Sequence, residues 1–250
     1  MDALLLCGGF ATRLEPITYF IPKPLLPIGV GGKPIIEYIF DDITKSGIKR
    51  IIISTNSKYH PYFENWIRNK LNNSSDIVKF VIEPTKQNKE KFGAVRAIAY
   101  AIEHAKINED LFIIACDNFY DFSAKEVMKY FNKHRKPTLA LYDVGSKEEA
   151  KKFGVVEIKG NRVVSLAEKP SEPKSTLVNI GFYLLPKEYL SKVSEFINET
   201  GKTDSIGYFN EWLCKNTEVL GYIYHGKWYD IGTLDIYKKV FDQYTNQTKL

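Results

Sequence analysis

Apolar runs of strand length alternate with amphipathic helical stretches through the first 144 residues of this chain. The strand-like runs lie at 2–7, 48–56, 78–84, 110–117 and 138–144. The helical stretches lie at 34–47, near 59–72, at 93–105 and at 123–135. This alternation predicts crossover units and therefore a Rossmann-like, mostly parallel, twisted sheet flanked by helices, in the α/β class.

The pattern changes near residue 150. Residues 154–170 alternate apolar and polar side chains around Gly160, which predicts a β-hairpin. Further elements follow as a strand at 177–185, two short strands within 218–232 and a helix from Thr233. We therefore expect a first half (1–150) and a mixed α+β half (151–250) within one domain, 1–250.

The composition is that of an ordinary globular protein and argues against several classes. The 250 residues are 44% hydrophobic and 26% charged, and no run of 18 apolar residues occurs, so no membrane partner is predicted. The N-terminal "MDALLLCGG" lacks the basic start of a secretion signal, and the three cysteines lack metal-like spacing, so we expect a cytoplasmic protein. The net charge of +5 comes from scattered lysines, so no nucleic-acid partner is predicted.

The loop after the first predicted strand combines glycine, proline and positive charge. Gly8 and Gly9 would let backbone N–H groups approach a phosphate, although a tight turn explains a Gly-Gly pair about as often. Arg13 and Lys23 add cations that suit a triphosphate or pyrophosphate. The loop is restricted by four prolines, Pro16, Pro22, Pro24 and Pro27. These features predict a preorganised anion site where ligands of such sheets bind, outside the carboxyl ends of the strands.

The stretch "GGFATRLEPITYFIPKPLLPIGVGGKP" (8–34) resembles the signature loop of the sugar-1-phosphate nucleotidyltransferases. The family pattern is G-G-x-G-T-R-L-x-P-x-T, a spacer, P-K-P-L-L-P-I and K-P, which the thymidylyltransferase and mannose guanylyltransferase branches share. The resemblance implies the nucleotide-diphospho-sugar transferase fold, with catalytic roles for Arg13 and Lys23. It also implies nucleotide contacts for Leu6, Gly8, Gly9 and Thr12.

Two positions depart from the family loop. Ala11 replaces a glycine, and we expect the backbone to have adjusted so that Ala11 lies at negative φ, anchored by the packing of Phe10. The spacer before Lys33 is two residues longer than is usual in the family.

Two aspartates are candidate metal ligands. Asp117 closes the apolar run "LFIIACD", and Asp230 lies in "KWYDIGT" (227–233). Each could instead be a helix cap or a turn residue. The resemblance implies that these positions hold Mg²⁺, because the family motif W-x-D-x-G-T is met in full.

Three later stretches match the sugar side of the family pattern. They are "FGVVEI" (153–158), "EKP" (168–170) and "NIGFY" (179–183). Outside this order, a Glu-Lys pair is a common surface feature and Asn-x-Gly a common turn. The resemblance implies sugar 1-phosphate contacts for Gly154, Glu168, Lys169 and Asn179.

The segment expected to contact the nucleobase matches the family pattern less closely. In "VIEPTKQNKEKFGAVRAI" (81–98), the usual G-T-A-G-A is replaced by a segment that begins at Gly93, after a lengthened loop. Glu83 stands where thymidylyltransferases often have glutamine. The resemblance implies that Glu83 and Gly93 contact the nucleotide, and Glu83 weakens the case for dTTP.

The implied substrates are an NTP and a hexose 1-phosphate, converted with Mg²⁺ to an NDP-sugar and pyrophosphate. We expect a glucose-1-phosphate thymidylyltransferase or uridylyltransferase type, with mannose-1-phosphate guanylyltransferase or another sugar-phosphate nucleotidyltransferase as the alternative. Other classes are a GT-A-type glycosyltransferase, which usually carries Asp-x-Asp, a motif absent from this sequence, and a non-catalytic nucleotide-sugar sensor. We expect no C-terminal β-helix domain, and a homo-oligomer is left open.

Overall fold

The structure, a computed structural model, describes residues 1–72, 76–121 and 123–247. These residues form eleven strands: β1 Asp2–Leu6, β2 Ile51–Asn56, β3 Val78–Glu83, β4 Leu111–Ala115, β5 Asn118–Tyr120, β6 Thr138–Asp143, β7 Gly154–Lys159, β8 Arg162–Glu168, β9 Leu177–Leu185, β10 Leu220–Ile223 and β11 Trp228–Asp230. They also form eight α-helices: α1 Ile35–Lys45, α2 His60–Lys70, α3 Ala94–Ala105, α4 Ala124–His134, α5 Lys147–Ala150, α6 Ser191–Thr200, α7 Ile206–Asn216 and α8 Leu234–Gln247.

Nine of these strands form one sheet in the order β3-β2-β1-β4-β9-β6-β10-β8-β7. The first four strands in that order are parallel, as the alternation of strands and helices predicts. Strand β9 runs antiparallel to β4 and β6, so the second half of the chain continues the same sheet rather than forming a separate one. Strands β11 and β5 form a separate two-stranded antiparallel sheet.

Helices cover both faces of the sheet. Along β1, Ala3 and Leu5 belong to one apolar core, whereas Leu4 between them belongs to the other. The first core is completed by α1, α2 and α4, and the second by α3, α6 and α7. Because both faces are buried, the central strands are continuously apolar, as expected for a parallel sheet.

The candidate site lies at the carboxyl ends of three strands, β1, β3 and β4. Gly8 follows β1, Glu83 ends β3, and Asp117 follows β4 after one intervening residue. Strand β4 ends at Ala115, so the predicted strand 110–117 is too long; Asp117 lies in the turn before β5. These parallel strands bring the three residues to one edge of the sheet.

Candidate active site

The backbone at Ala11 contradicts the expected adjustment of the loop. Ala11 has φ 48° and ψ 44°, the left-handed conformation, so the prediction of negative φ was wrong. Its carbonyl accepts hydrogen bonds from Leu14 N–H at 2.9 Å and from Thr18 Oγ1 at 3.0 Å. Phe10 is buried as expected. These contacts hold the turn in a conformation that glycine would adopt without strain.

The two loop cations lie against the two candidate metal aspartates. Lys23 is buried, and its Nζ lies 3.4 Å from Asp117 Oδ2. A Cβ built on Gly232 would lie 3.6 Å from both terminal nitrogens of Arg13 and 3.3 Å from Asp230 Oδ2. Glycine at 232 therefore leaves room for the guanidinium beside the carboxylate.

Strand pairing fixes the two aspartates relative to each other. Asp230 pairs with Asn118 across β11 and β5, and Ile231 N–H donates to the Asp117 carbonyl at 3.2 Å. The side chain of Asn118 donates to Asp117 Oδ1 at 2.9 Å and accepts from Trp228 Nε1 at 3.1 Å. A hydrogen-bonded strand pair thus presents both carboxylates.

The electrostatics of Asp230 show that the candidate residues form one cluster. Burial raises the pKa of Asp230, and the charge of Asp117 raises it further. The opposing effect comes from three cations, Lys23, Arg13 and Lys169. Residues from both halves of the chain therefore act on one carboxyl group.

The candidate metal site consists of two carboxylates, those of Asp117 and Asp230. Within the described ranges, no group of three or more His, Cys, Asp and Glu side chains could hold a metal ion. Asp117 and Asp230 are two carboxylates close enough for one charge to raise the pKa of the other. This pair fits Mg²⁺, which protein sites commonly bind through one or two carboxylates, with substrate phosphates and water completing the coordination.

A cavity of about 220 Å³ lies beside this cluster, between the ends of β1 and β3 and the start of α3. Its lining includes five of the six predicted nucleotide contacts, Leu6, Gly8, Gly9, Glu83 and Gly93. Thr12 does not line it and is exposed in a short 3₁₀ turn. A Cβ on Gly9 would meet nothing within 4 Å, so the surrounding protein leaves this position open.

Glu83 is a buried acid at the wall of this cavity. Its Oε1 accepts a hydrogen bond from Ser54 Oγ at 3.0 Å, and it lies so close to Gly8 that a Cβ there would be 2.5 Å away. Burial raises the pKa of Glu83, and the Ser54 hydrogen bond opposes that shift. A side chain at position 8 would therefore displace the Glu83 carboxyl group from its present place.

The predicted sugar-side residues also lie together. Gly154 pairs with Glu168 across the β7–β8 hairpin, and a Cβ on Gly154 would lie 3.1 Å from Glu168 Oε2 and 3.9 Å from Asn179 Cβ. Lys169 follows with φ 48°, and its N–H donates to the Phe153 carbonyl at 3.0 Å. Asn179 Oδ1 accepts from Gly181 N–H at 3.0 Å, so this side chain also shapes its own strand.

Comparison with known proteins agrees with this geometry. The family model described as "Nucleotidyl transferase" matches residues 2–247. The chain belongs to the nucleotidyl transferase family. The family predicted from the signature loop is therefore confirmed.

Two relatives of this nucleotidyl transferase have names that specify a sugar phosphate. A Sulfurisphaera tokodaii bifunctional sugar-1-phosphate nucleotidylyltransferase/acetyltransferase is 32% identical, with 93% of this chain and 52% of the relative covered. A Sulfolobus acidocaldarius protein, provisionally named mannose-1-phosphate guanyltransferase, is 28% identical, with 96% and 62% covered. The chain thus spans about half to three fifths of the length of these relatives.

Solved structures share the fold of this nucleotidyl transferase. A UDP-glucose pyrophosphorylase complexed with UDP-glucose aligns with a TM-score of 0.80 at 24% identity, covering 98% of each chain. The predicted fold class is confirmed. The helices in the described residues include none with the length and apolar character needed to span a bilayer.

The structure of this nucleotidyl transferase adds cavity residues that the sequence analysis did not select. Lys91, Phe92 and Asp204 also line the cavity that holds five of the predicted nucleotide contacts, hereafter the nucleotide-side cavity. The Lys91 Nζ lies 4.0 Å from Asp204 Oδ1 across its wall. Lys91 and Phe92 lie in the lengthened loop before Gly93, whereas Asp204 lies in a region without a recognised motif.

Proposed function

We propose that this protein transfers a nucleotidyl group from an NTP to a hexose 1-phosphate, giving an NDP-sugar and pyrophosphate. The observation that carries the proposal is the cluster of three cations and two carboxylates at one edge of the sheet. Fixed charges of this kind suit a reaction in which negative charge moves between phosphates. The family and the named relatives support the same activity.

The proposed reaction is an in-line displacement. An oxygen of the sugar 1-phosphate attacks the α-phosphorus of the NTP, and the bond to the β-phosphate breaks to release pyrophosphate. Arg13 and Lys23 stabilise the triphosphate and the departing pyrophosphate. Lys169 holds the acceptor phosphate against the repulsion between the two anions. Residues 1–150 thereby bind the donor and residues 151–250 the acceptor within one domain.

Asp117 and Asp230 are the residues that would hold Mg²⁺. When bound, the ion supplies charge neutralisation and orients the phosphates. The Asp117 carboxylate is 52% exposed, so it is accessible to an ion that also contacts substrate. Its neighbour Lys23 is positioned to contact the same phosphates.

The donor base depends on Glu83. The branch expected from the signature loop uses dTTP or UTP with glucose 1-phosphate, and a carboxylic acid at Glu83 could both donate to and accept from such a pyrimidine. An ionised carboxylate accepts only, and guanine presents two adjacent donors, N1–H and N2–H₂. An acid at the cavity wall, where the thymidylyltransferases often have glutamine, is the specific observation that favours the second candidate, a mannose-1-phosphate guanylyltransferase, in which the carboxylate is ionised. Burial raises the pKa of Glu83 and so opposes this candidate, because it favours the protonated form that suits a pyrimidine.

A pyrophosphate-release screen tests both the nucleotidyl transfer activity and the choice of NTP and sugar. The purified protein with Mg²⁺ is assayed with dTTP, UTP, GTP, ATP and CTP against glucose, mannose, galactose and N-acetylglucosamine 1-phosphates. We expect turnover with at least one pair, reduced by a few orders of magnitude in the isosteric Asp117→Asn variant. A folded wild-type protein that releases no pyrophosphate with any pair would contradict the proposed activity.

Glu83→Gln distinguishes the two donor candidates. The glutamine amide both donates and accepts, so we expect the kcat/KM ratio of GTP to UTP to fall by at least tenfold if guanine is the natural base. A wild-type enzyme that prefers UTP or dTTP over GTP at neutral pH would eliminate the guanylyltransferase candidate and leave the general activity intact.

A further inference from the structure

The start of helix α7 contacts the predicted sugar-binding glutamate. Ser205 precedes the helix, and its Oγ accepts a hydrogen bond from Gly207 N–H at 3.2 Å, as an N-cap does. The same hydroxyl donates to Glu168 Oε1 at 3.1 Å. One side chain therefore joins the helix start to the carboxylate at the end of β8.

The other oxygen of this carboxylate, Glu168 Oε2, packs against Gly207. A Cβ built on Gly207 would lie 1.9 Å from Glu168 Oε2 and 2.5 Å from its Cδ. The residue is buried, so the carboxylate lies directly over its Cα. Any side chain at 207 would displace the carboxyl group from its present place.

The helix also favours this charge. Helix α7 has 11 residues, and a negative group at a helix N-terminus is stabilised by the aligned peptide dipoles. The Ser205 hydroxyl, the Cα of Gly207 and the helix dipole together hold the Glu168 side chain in one rotamer. Glu168 itself belongs to β8.

The segment before α7 is itself fixed. The carbonyls of Asp204 and Thr203 accept hydrogen bonds from Ala94 N–H at 2.8 Å and Val95 N–H at 3.0 Å, which are the first N–H groups of α3. The start of α7 is therefore tied to the wall of the nucleotide-side cavity. A segment held in this way can keep the Glu168 carboxylate in one orientation.

We propose that Ser205 and Gly207 are positioning residues that hold the Glu168 carboxylate in the orientation that binds the hexose hydroxyls. This inference rests on the proposed function, because it assigns Glu168 to the acceptor. Neither residue touches the acceptor itself. Both act through the carboxylate, so their effect falls on the sugar 1-phosphate rather than on the NTP.

The chain contains a matched control for Ser205. Ser123 caps α4 in the same way, accepting from Lys125 N–H at 3.2 Å and donating to Asp42 Oδ1 at 3.0 Å. It therefore has the same two hydrogen bonds, a helix cap and a carboxylate partner, in a different part of the fold. Loss of its hydroxyl carries a similar stability cost without affecting Glu168.

The first experiment compares Ser205→Ala with Ser123→Ala. Both should lower the urea midpoint to a similar extent. Only Ser205→Ala should raise the KM for sugar 1-phosphate, by roughly tenfold, with the KM for NTP changed less than about twofold. Ser205→Thr keeps the hydroxyl and should restore the wild-type KM. An unchanged acceptor KM in Ser205→Ala would overturn the role of Ser205.

Gly207→Ala provides a test that does not depend on losing a cap. Alanine favours the helix and leaves the Ser205 cap in place, so the variant should fold, with a urea midpoint lowered no more than in Ser205→Ala, while the carboxylate is pushed aside. We expect a raised acceptor KM here too. If both variants are active and keep the wild-type KM for sugar 1-phosphate, the positioning role is wrong and the proposed activity stands. If the unaltered protein releases no pyrophosphate with any substrate pair, the activity and this inference both fail.

Discussion

At the scale of single residues, the most informative position is Ala11. Its residue type departs from the family loop, yet its backbone keeps the left-handed conformation that glycine adopts easily. The sequence showed the substitution but not its consequence, because φ there is decided by two hydrogen bonds to the Ala11 carbonyl. The loop is therefore strained at the point where it begins to turn.

Ala11→Gly should relieve this strain. An L-residue in the left-handed region costs roughly 1–2 kcal/mol, partly offset by the greater freedom of glycine in the unfolded chain. We expect a net gain of up to about 1 kcal/mol in the free energy of unfolding, measured by urea denaturation. A clear loss of stability would mean that the alanine methyl group makes packing contacts that outweigh the strain.

Glu83 should make stability depend on pH. Its folded-state pKa is raised, so its contribution is fully present below the unfolded pKa and is lost as pH rises through the folded value. Glu83→Gln removes this loss. We expect the variant to gain stability relative to wild type as the pH rises from the unfolded-state pKa of about 4.3 to the raised folded-state pKa, by about 1.4 kcal/mol per unit of pKa difference. Glu172→Gln, at an exposed position, is the control and should show no such trend.

At the scale of elements, strands and helices with regular patterns were predictable and the links between them were not. The apolar periodicity predicted α1 to α4 within one or two residues at each end. Helices α6 and α7 were not predicted, although Val193, Phe196 and Ile197 have helical spacing. In this region the expectations rested on motifs, and the segment before α7 has none. That segment carries Asp204 and Ser205.

The lengthened spacer of the signature loop contacts the last helix. Val30 N–H donates to Thr245 Oγ1 at 3.0 Å, and Tyr237 donates its hydroxyl to the Pro27 carbonyl at 2.9 Å. Gly29 has φ 80°, and a Cβ there would lie 3.2 Å from backbone atoms of Tyr244 and Thr245. Helix α8 thus packs directly on the loop that carries Arg13 and Lys23.

Two glycine substitutions measure this contact. Gly29→Ala combines a positive φ with close contact against α8, whereas Gly31→Ala has φ 67° with no atom within 4 Å of the new methyl group. We expect Gly31→Ala to cost about 1 kcal/mol and Gly29→Ala clearly more, in urea denaturation. Equal costs would show that the spacer and α8 can separate freely.

At the scale of the whole molecule, sheet order determines how the site is assembled. Strand β9 lies between β4 and β6, which brings Asn179 and the β7–β8 hairpin next to the end of β4. Local sequence patterns cannot specify this insertion, because it depends on pairing between segments about 70 residues apart. The motif order indicated which residues belong to the site, and the sheet shows how they meet.

Variants of Lys23 and Lys169 should differ in which kinetic constant they change. Lys23, in the loop after β1, lies beside Asp117, and Lys169, at the end of the hairpin, has a charge that lowers the pKa of Asp230. Lys23→Ala should mainly lower kcat, because the charge that it meets grows as pyrophosphate departs, whereas Lys169→Ala should mainly raise the KM for sugar 1-phosphate. Lys33→Ala is the control, since Lys33 ends the same loop but pairs with Asp41 at 2.8 Å. If both site variants showed one shared kinetic pattern, donor and acceptor phosphates would not be divided between the two halves of the chain.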